Sequence, residues 1–170
     1  MKALILSGYG INCEEETFNA FNKVGIKSAI VHINNLNENS KKLKNFQILA
    51  LPGGFSYGDH TGSGNAMAHK IKNNLFQNMI DFIEEDKLVI GICNGCQILI
   101  NLGIVPASEG YKRELALVEN DIPTYQCRWI NIKVISQKSP WLKKIKELYL
   151  PVAHQEGKFI AKKKVLKNLI

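Results

Sequence analysis

Leu88-Val89-Ile90-Gly91-Ile92-Cys93-Asn94-Gly95-Cys96-Gln97 is the stretch that decides how this chain folds. Its apolar opening reads as a buried strand that stops at one cysteine, and a helix-like segment, Gln97 to Leu102, starts directly behind it. Gly91 and Gly95 flank Cys93 two residues before and two after. That spacing belongs to a nucleophile elbow, a tight strand-to-helix turn that pushes the nucleophile outward while glycines remove the Cβ atoms that would collide. The N-terminal end of a helix favours a thiolate, the form of cysteine that attacks. The segment therefore predicts a cysteine nucleophile aimed at a carbonyl.

Working outward, the same alternation of strand and helix recurs. Ala3 to Leu6 reads as a first strand closed by Ser7-Gly8-Tyr9-Gly10, and Glu14 to Val24 carries helical spacing with an acidic first turn. Ala29 to Ile33 and Ile48 to Leu51 read as further strands, the latter ending at Pro52-Gly53-Gly54. Ala66 to Ile83 predicts one long helix. Strands separated by helices imply right-handed crossovers, so the expected fold is α/β: an open, mostly parallel sheet with helices on both faces. Beyond Leu102 the pattern changes, and Cys127 to Ile135 and Glu147 to Val152 read as exposed strands. A single domain over residues 1–170 is expected.

Composition narrows the chemistry. The chain has 170 residues, 45% of them hydrophobic, enough for a core. Lys and Arg exceed Asp and Glu by 22 to 15, and five lysines fall between Lys158 and Lys167, which predicts a solvated basic tail. No aromatic-interleaved basic motif accompanies them, so no nucleic-acid partner is expected. Four cysteines in a chain this long do not form a disulfide framework, and no apolar run reaches membrane-spanning length. A reduced, cytoplasmic protein without a membrane partner is expected.

Several constellations compete for the chemistry. Gly8-Tyr9-Gly10 after a strand invites a dinucleotide reading, but the third glycine of that fingerprint falls at Cys13. Cys93 and Cys96 form a CxxC pair, although the glycine bracket suits an elbow better than a dithiol. Leu51-Pro52-Gly53-Gly54-Phe55-Ser56 lies at the carboxyl end of a neighbouring strand, where open parallel sheets bind ligands. Its glycines leave backbone N–H groups unobstructed, as an oxyanion hole requires, and the Asn94 N–H is the natural second donor. His154-Gln155-Glu156 offers a base and a carboxylate, the pair a cysteine nucleophile wants. His32, His60 and His69 are weaker candidates for that base.

Five segments taken together resemble a class I glutamine amidotransferase. They are Gly10-Ile11-Asn12-Cys13-Glu14, Leu51 to Asp59, Gly91 to Gln97 with Leu102-Gly103, Cys127-Arg128-Trp129 and Pro151 to Gly157. Within that class they resemble the glutaminase-subunit family of phosphoribosylformylglycinamidine synthases, of which the Gly-Gly-Phe-Ser-Tyr-Gly-Asp string is particular. The resemblance implies a flavodoxin-like fold in which Cys93 attacks the side-chain amide of glutamine and a thioester is hydrolysed to glutamate. Gly54 and Asn94 would form the oxyanion hole, and Gln97, Gly53 and Phe55 would hold the substrate. Neither metal nor cofactor is implied in this subunit. ATP and Mg²⁺ are implied on a large synthase subunit that uses the ammonia to amidate formylglycinamide ribonucleotide, alongside a small accessory subunit.

The resemblance also implies a His-Pro-Glu segment near the C-terminus carrying the triad's other two members, and this sequence has none. His154 and Glu156 match an upstream family segment instead, in which Gln155 stands where glycine is usual. The expectation is a glutaminase domain truncated at its C-terminal end, with His154 and Glu156 poor substitutes. The alternative is a non-catalytic subunit that serves only binding and assembly.

Overall fold

The computed structural model describes residues 1–169. Four strands, β1 (Lys2–Ser7), β2 (Lys27–His32), β3 (Ile48–Leu51) and β4 (Leu88–Gly91), form one sheet in the order β2-β1-β3-β4, every pair parallel. Helix α1 (Glu14–Lys23) makes the crossover from β1 to β2. Helices α3 (Asn65–Asn74) and α4 (Phe76–Glu84) make the crossover from β3 to β4, in the opposite direction along the sheet. Right-handed crossovers that run in opposite directions must lie on opposite faces. The α/β expectation with helices on both faces holds.

Strand alternation divides the core accordingly. Leu4, Leu6, Leu49 and Leu51 face one cluster with Met67 and Ile71 of α3, Met79 and Phe82 of α4, and Ile98, Leu99 and Leu102 of α5 (Asn94–Leu102). Ala3, Ile5, Ile48 and Ala50 are equally buried on the other face. β4 is one edge of the sheet, and the Trp141 indole donates to its Val89 carbonyl at 3.0 Å.

The helix expected over Ala66 to Ile83 is two. Leu75, at φ −131°, leaves helical geometry and separates α3 from α4, and its side chain is buried in the core. Helical periodicity runs through the break because both helices show their apolar faces to the same sheet. A short helix α2 (Ile33–Glu38) also stands where only a strand end was expected; the His32 ring caps it by accepting the Asn34 N–H at 3.2 Å. After α5 come two antiparallel ribbons, β5 (Leu115–Glu119) with β8 (Glu156–Ala161) and β6 (Gln126–Lys133) with β7 (Glu147–His154). The lysine-rich run is structured, not a tail: it forms β8 and the helix α6 (Lys163–Leu169), with Lys158 paired to Asp121 and Lys164 to Glu109.

Candidate active site

Cys93 stands between β4 and α5 with φ 52° and ψ −112°, a positive-φ conformation that a residue bearing a side chain adopts only where its surroundings impose it. Glycine on both sides makes this turn possible. A Cβ on Gly91 would lie 2.6 Å from the Gly95 carbonyl oxygen, and one on Gly95 would lie 1.9 Å from that of Leu51. The elbow expected from the sequence is therefore present, and it brings α5 hard against the end of β3. The Cys93 thiol is exposed, and among the described residues its hydrogen-bond neighbour is the Ala153 carbonyl at 3.9 Å.

The Gly-Gly loop sits directly beside it. A Cβ on Gly53 would touch Cys93 Cβ and Cys13 Sγ, each at 3.5 Å. The Gly53 carbonyl oxygen accepts the N–H groups of Asn12 and Cys13, both at 3.2 Å. In a trans peptide the carbonyl and the following N–H point in opposite directions. Holding the Gly53 carbonyl toward the Asn12–Cys13 turn therefore aims the Gly54 N–H the other way. Phe55 N–H to Gly10 carbonyl (2.8 Å) and Tyr57 N–H to Tyr9 carbonyl (2.7 Å) extend this zipper, and the Tyr9 and Tyr57 rings stack at 5.0 Å. The Gly8-Tyr9-Gly10 turn, tempting as a nucleotide loop, braces the Gly-Gly loop instead. Among the described residues neither the Gly54 nor the Asn94 N–H is taken by a backbone acceptor.

Two adjoining hollows, of about 500 and 290 Å³, open at this point, and both are lined by Gly54, Phe55, Cys93, Tyr125 and Ala153. They lie at the carboxyl ends of β3 and β4, where ligands of open α/β sheets bind. Tyr125, from the loop before β6, lines both, although nothing in the local sequence marks it. Gln97 lines the smaller hollow with its amide already engaged: Oε1 accepts from Asn94 Nδ2 at 3.0 Å and Nε2 donates to the Glu156 carbonyl at 3.0 Å. Burial, and after it the charges of Glu16, Cys93 and Glu14, push the Cys13 thiol above its ordinary value; burial also raises Cys96.

His154 and Glu156 line the same hollow as Cys93, but they are not joined to each other. His154 Nδ1 pairs with Asn120 Oδ1 at 3.0 Å, and Glu156 Oε2 accepts the Ser63 N–H at 3.0 Å. No hydrogen-bonded chain from cysteine to histidine to carboxylate is formed among the described residues. His60 packs over Gly58, His32 is occupied as a helix cap, and His69 is exposed on α3.

The chain is similar to known proteins over nearly its whole length. Residues 1–170 match the CobB/CobQ-like glutamine amidotransferase domain. The phosphoribosylformylglycinamidine synthase subunit PurQ of Methanococcus maripaludis is 48% identical over 99% of this chain and 62% of its own length. The protein of the same name from Dehalococcoides mccartyi is 39% identical over 99% of the chain and 67% of its own length. In the solved structure of PurLQS from Thermotoga maritima, one chain superposes with a TM-score of 0.76 at 27% identity, over 95% of this chain and 69% of that one. The chain thus spans about 62% of the length of the Methanococcus relative it matches. The resemblance carried by the motifs is borne out: the chain belongs to the CobB/CobQ-like glutamine amidotransferase domain family.

Proposed function

We propose that this domain binds glutamine at Cys93 and transfers its γ-glutamyl group to the Cys93 sulfur, releasing ammonia for a synthase subunit of de novo purine biosynthesis. The thiolate attacks the side-chain carbonyl carbon, and the oxygen turns toward the Gly54 and Asn94 N–H groups as it becomes an oxyanion. Collapse, with a proton taken up from water by the leaving nitrogen, expels ammonia and leaves a γ-glutamyl thioester; water then cleaves the C–S bond, giving glutamate and returning the Cys93 thiol. Donors fixed in advance of the charge they meet are typically worth ~10²–10³-fold each in rate. Phe55, 52% exposed over both hollows, and Gly53 form the wall against which the glutamine lies. The observation that carries the reading is the exposed Cys93 thiol on a positive-φ turn beside the Gly53-Gly54 loop, with the Gly54 and Asn94 N–H groups taken by no backbone acceptor among the described residues.

The partner side of the reading rests on the relatives' names. Proteins similar over nearly the whole chain are called subunits of phosphoribosylformylglycinamidine synthase, and the superposing chain comes from a structure named PurLQS. The ammonia therefore passes to a large synthase subunit that holds ATP and Mg²⁺, with a small third subunit in the assembly and the cytoplasm as the setting. In this subunit no cofactor takes part.

A second reading, an assembly module without turnover, is favoured by one observation: His154 and Glu156 are held by Asn120 and Ser63 and form no relay to Cys93. General acid–base assistance is typically worth ~10²–10⁴-fold, so its loss slows turnover while leaving the thiol able to acylate. Intact mass after incubation with 6-diazo-5-oxonorleucine tests the first reading. One adduct per chain, absent in Cys93→Ser, is expected; no adduct, with the synthase partner present, leaves the assembly module.

A further inference from the structure

The Asn94 side chain, as distinct from its backbone N–H, has a position that the thioester reading does not use. It is completely buried, at 0% exposure. Its Oδ1 accepts the Ser56 N–H at 3.1 Å, while its Nδ2 donates both to Asp59 Oδ1 at 3.2 Å and to Gln97 Oε1 at 3.0 Å. One amide therefore ties the loop that follows Gly53-Gly54 to the first turn of α5.

That loop needs a tie. Tyr57, Gly58 and Asp59 stand in succession at φ 55°, 68° and 54°, and two of the three carry side chains. Left-handed geometry at such residues persists only where the surroundings over-determine it. Two of the restraints come from Asn94, at Ser56 and at Asp59, and Asp59 Oδ1 is shared with the Gly64 N–H at 3.2 Å. The network continues from Gln97 Nε2 to the Glu156 carbonyl, and Glu156 Oε2 returns to the loop at the Ser63 N–H. The Gly54 and Asn94 N–H groups, neither taken by a backbone acceptor among the described residues, belong to the two bodies that this amide joins: Gly54 to the loop and Asn94 to the helix.

We propose that the Asn94 side chain is a positioning residue that fixes the separation of the two oxyanion donors, using Asp59 as its anchor on the loop. The proposal rests on the thioester reading above. It requires an amide, because Ser56 presents a donor and Asp59 an acceptor to the same side chain. An aspartate has the shape of Asn94 but offers the Asp59 carboxylate another acceptor. Leucine would leave the buried Ser56 N–H without a partner.

Variants Asn94→Asp, Asp59→Asn and the double exchange test this. Each is reacted with 6-diazo-5-oxonorleucine and, separately, with iodoacetamide, and Cys93 labelling is timed by mass. With the diazoketone a C–S bond forms at its terminal carbon, N₂ leaves, and the thiol proton ends on that carbon; the ketone oxygen lies where the amide oxygen of glutamine would. Iodoacetamide needs only the thiolate.

At about pH 8, Asn94→Asp is expected to label with the diazoketone at least ~10-fold more slowly than the wild type, because small displacements of catalytic groups carry large rate penalties. Its iodoacetamide rate reports what the added charge does to the thiolate, and the diazoketone loss is read relative to that rate. Two carboxylates in contact hold one proton more tightly, and the introduced carboxyl, once protonated, can donate to Asp59. The diazoketone rate relative to wild type should therefore climb as the pH is lowered to about 6. The double exchange puts the amide on the loop and the carboxylate on the helix, so the same bond forms with its direction reversed. It should recover part of the relative rate at every pH, since the bond to Asp59's position returns while the donor to Gln97 Oε1 stays lost. Asp59→Asn alone, a milder change that keeps the loop folded, should fall between wild type and Asn94→Asp. Equal diazoketone labelling of Asn94→Asp and wild type, or parallel loss of both reagents with no recovery in the double exchange, overturns the positioning role. A wild type that iodoacetamide labels and the diazoketone does not would remove the thioester reading itself, and this proposal with it.

Discussion

Replacing Gly95 with alanine places a Cβ 1.9 Å from the Leu51 carbonyl oxygen and 2.9 Å from Leu51 Cβ. A carbon and a carbonyl oxygen rest at about 3.3 Å, so α5 must retreat from β3 by roughly 1.4 Å. The obstacle is the backbone of a central strand, which no rotamer change relieves. Overpacking of this kind costs about 3 kcal/mol, and the better helix propensity of alanine returns about 1 kcal/mol. The net of about 2 kcal/mol lowers the melting temperature by roughly 4–8 °C in a chain of this size. The chemistry suffers more, because the retreat carries Cys93 and the Asn94 N–H away from Gly54. Misplacement by about 1 Å costs on the order of 10²-fold in rate. Thermal unfolding followed by circular dichroism, with timed diazoketone labelling, measures both. Gly25→Ala is the control: φ is +80° and the space around it is open, so it should lose only the ~1–2 kcal/mol of left-handed strain and label normally. A Gly95→Ala protein that melts and labels like the wild type would refute the packing of the elbow against β3.

Four further outcomes follow from the geometry. Gly54→Ala would set a Cβ 2.5 Å from the Gly10 carbonyl oxygen and 2.8 Å from the Asn12 nitrogen, so diazoketone labelling should fall by ~10² or more while most of the fold survives. Trp141→Phe removes the donor to the Val89 carbonyl on the edge strand of the sheet, and chemical denaturation should show a loss of about 1 kcal/mol. Tyr111 donates to Glu84, which pushes its phenol up to about 12, so this interaction stabilises the fold below the ordinary tyrosine value of 10.0 and is lost as pH rises through about 12; Glu84→Gln should bring the spectrophotometric titration of Tyr111 back down. Because burial and Glu16 raise the Cys13 thiol, its alkylation in a Cys93→Ser background should be slow near neutrality and accelerate only above its ordinary value of 9.0, as read by peptide mapping.

The elbow was legible because a buried strand, a bracketed cysteine and an apolar helix are local patterns, and the positive φ of Cys93 shows why its flanking positions are glycine. The parallel sheet followed from strands and helices in alternation. Leu75 was not legible, since its break lies within one continuous apolar stripe. Nor was the role of Gly8-Tyr9-Gly10, whose backbone partners, Phe55 and Tyr57, lie more than forty residues away in sequence. The sequence marks Asn94 only through its backbone N–H, as the residue after the nucleophile. The side-chain bonds that reach Ser56 and Asp59 depend on the loop and the helix meeting in space. The basic run from Lys158 looked like a solvated tail because its lysines project outward, while its strand partner, β5, precedes it by some forty residues.

The most direct test of the account uses glutamine itself. The chain is mixed with isotopically labelled glutamine, quenched in acid at intervals and weighed intact, with ammonia counted in the same samples. The account predicts ammonia release together with a γ-glutamyl group caught on Cys93 in the early samples, because the thioester forms before water converts it to glutamate. Labelled glutamine that leaves Cys93 unmodified and releases no ammonia, with or without the synthase partner, would contradict it.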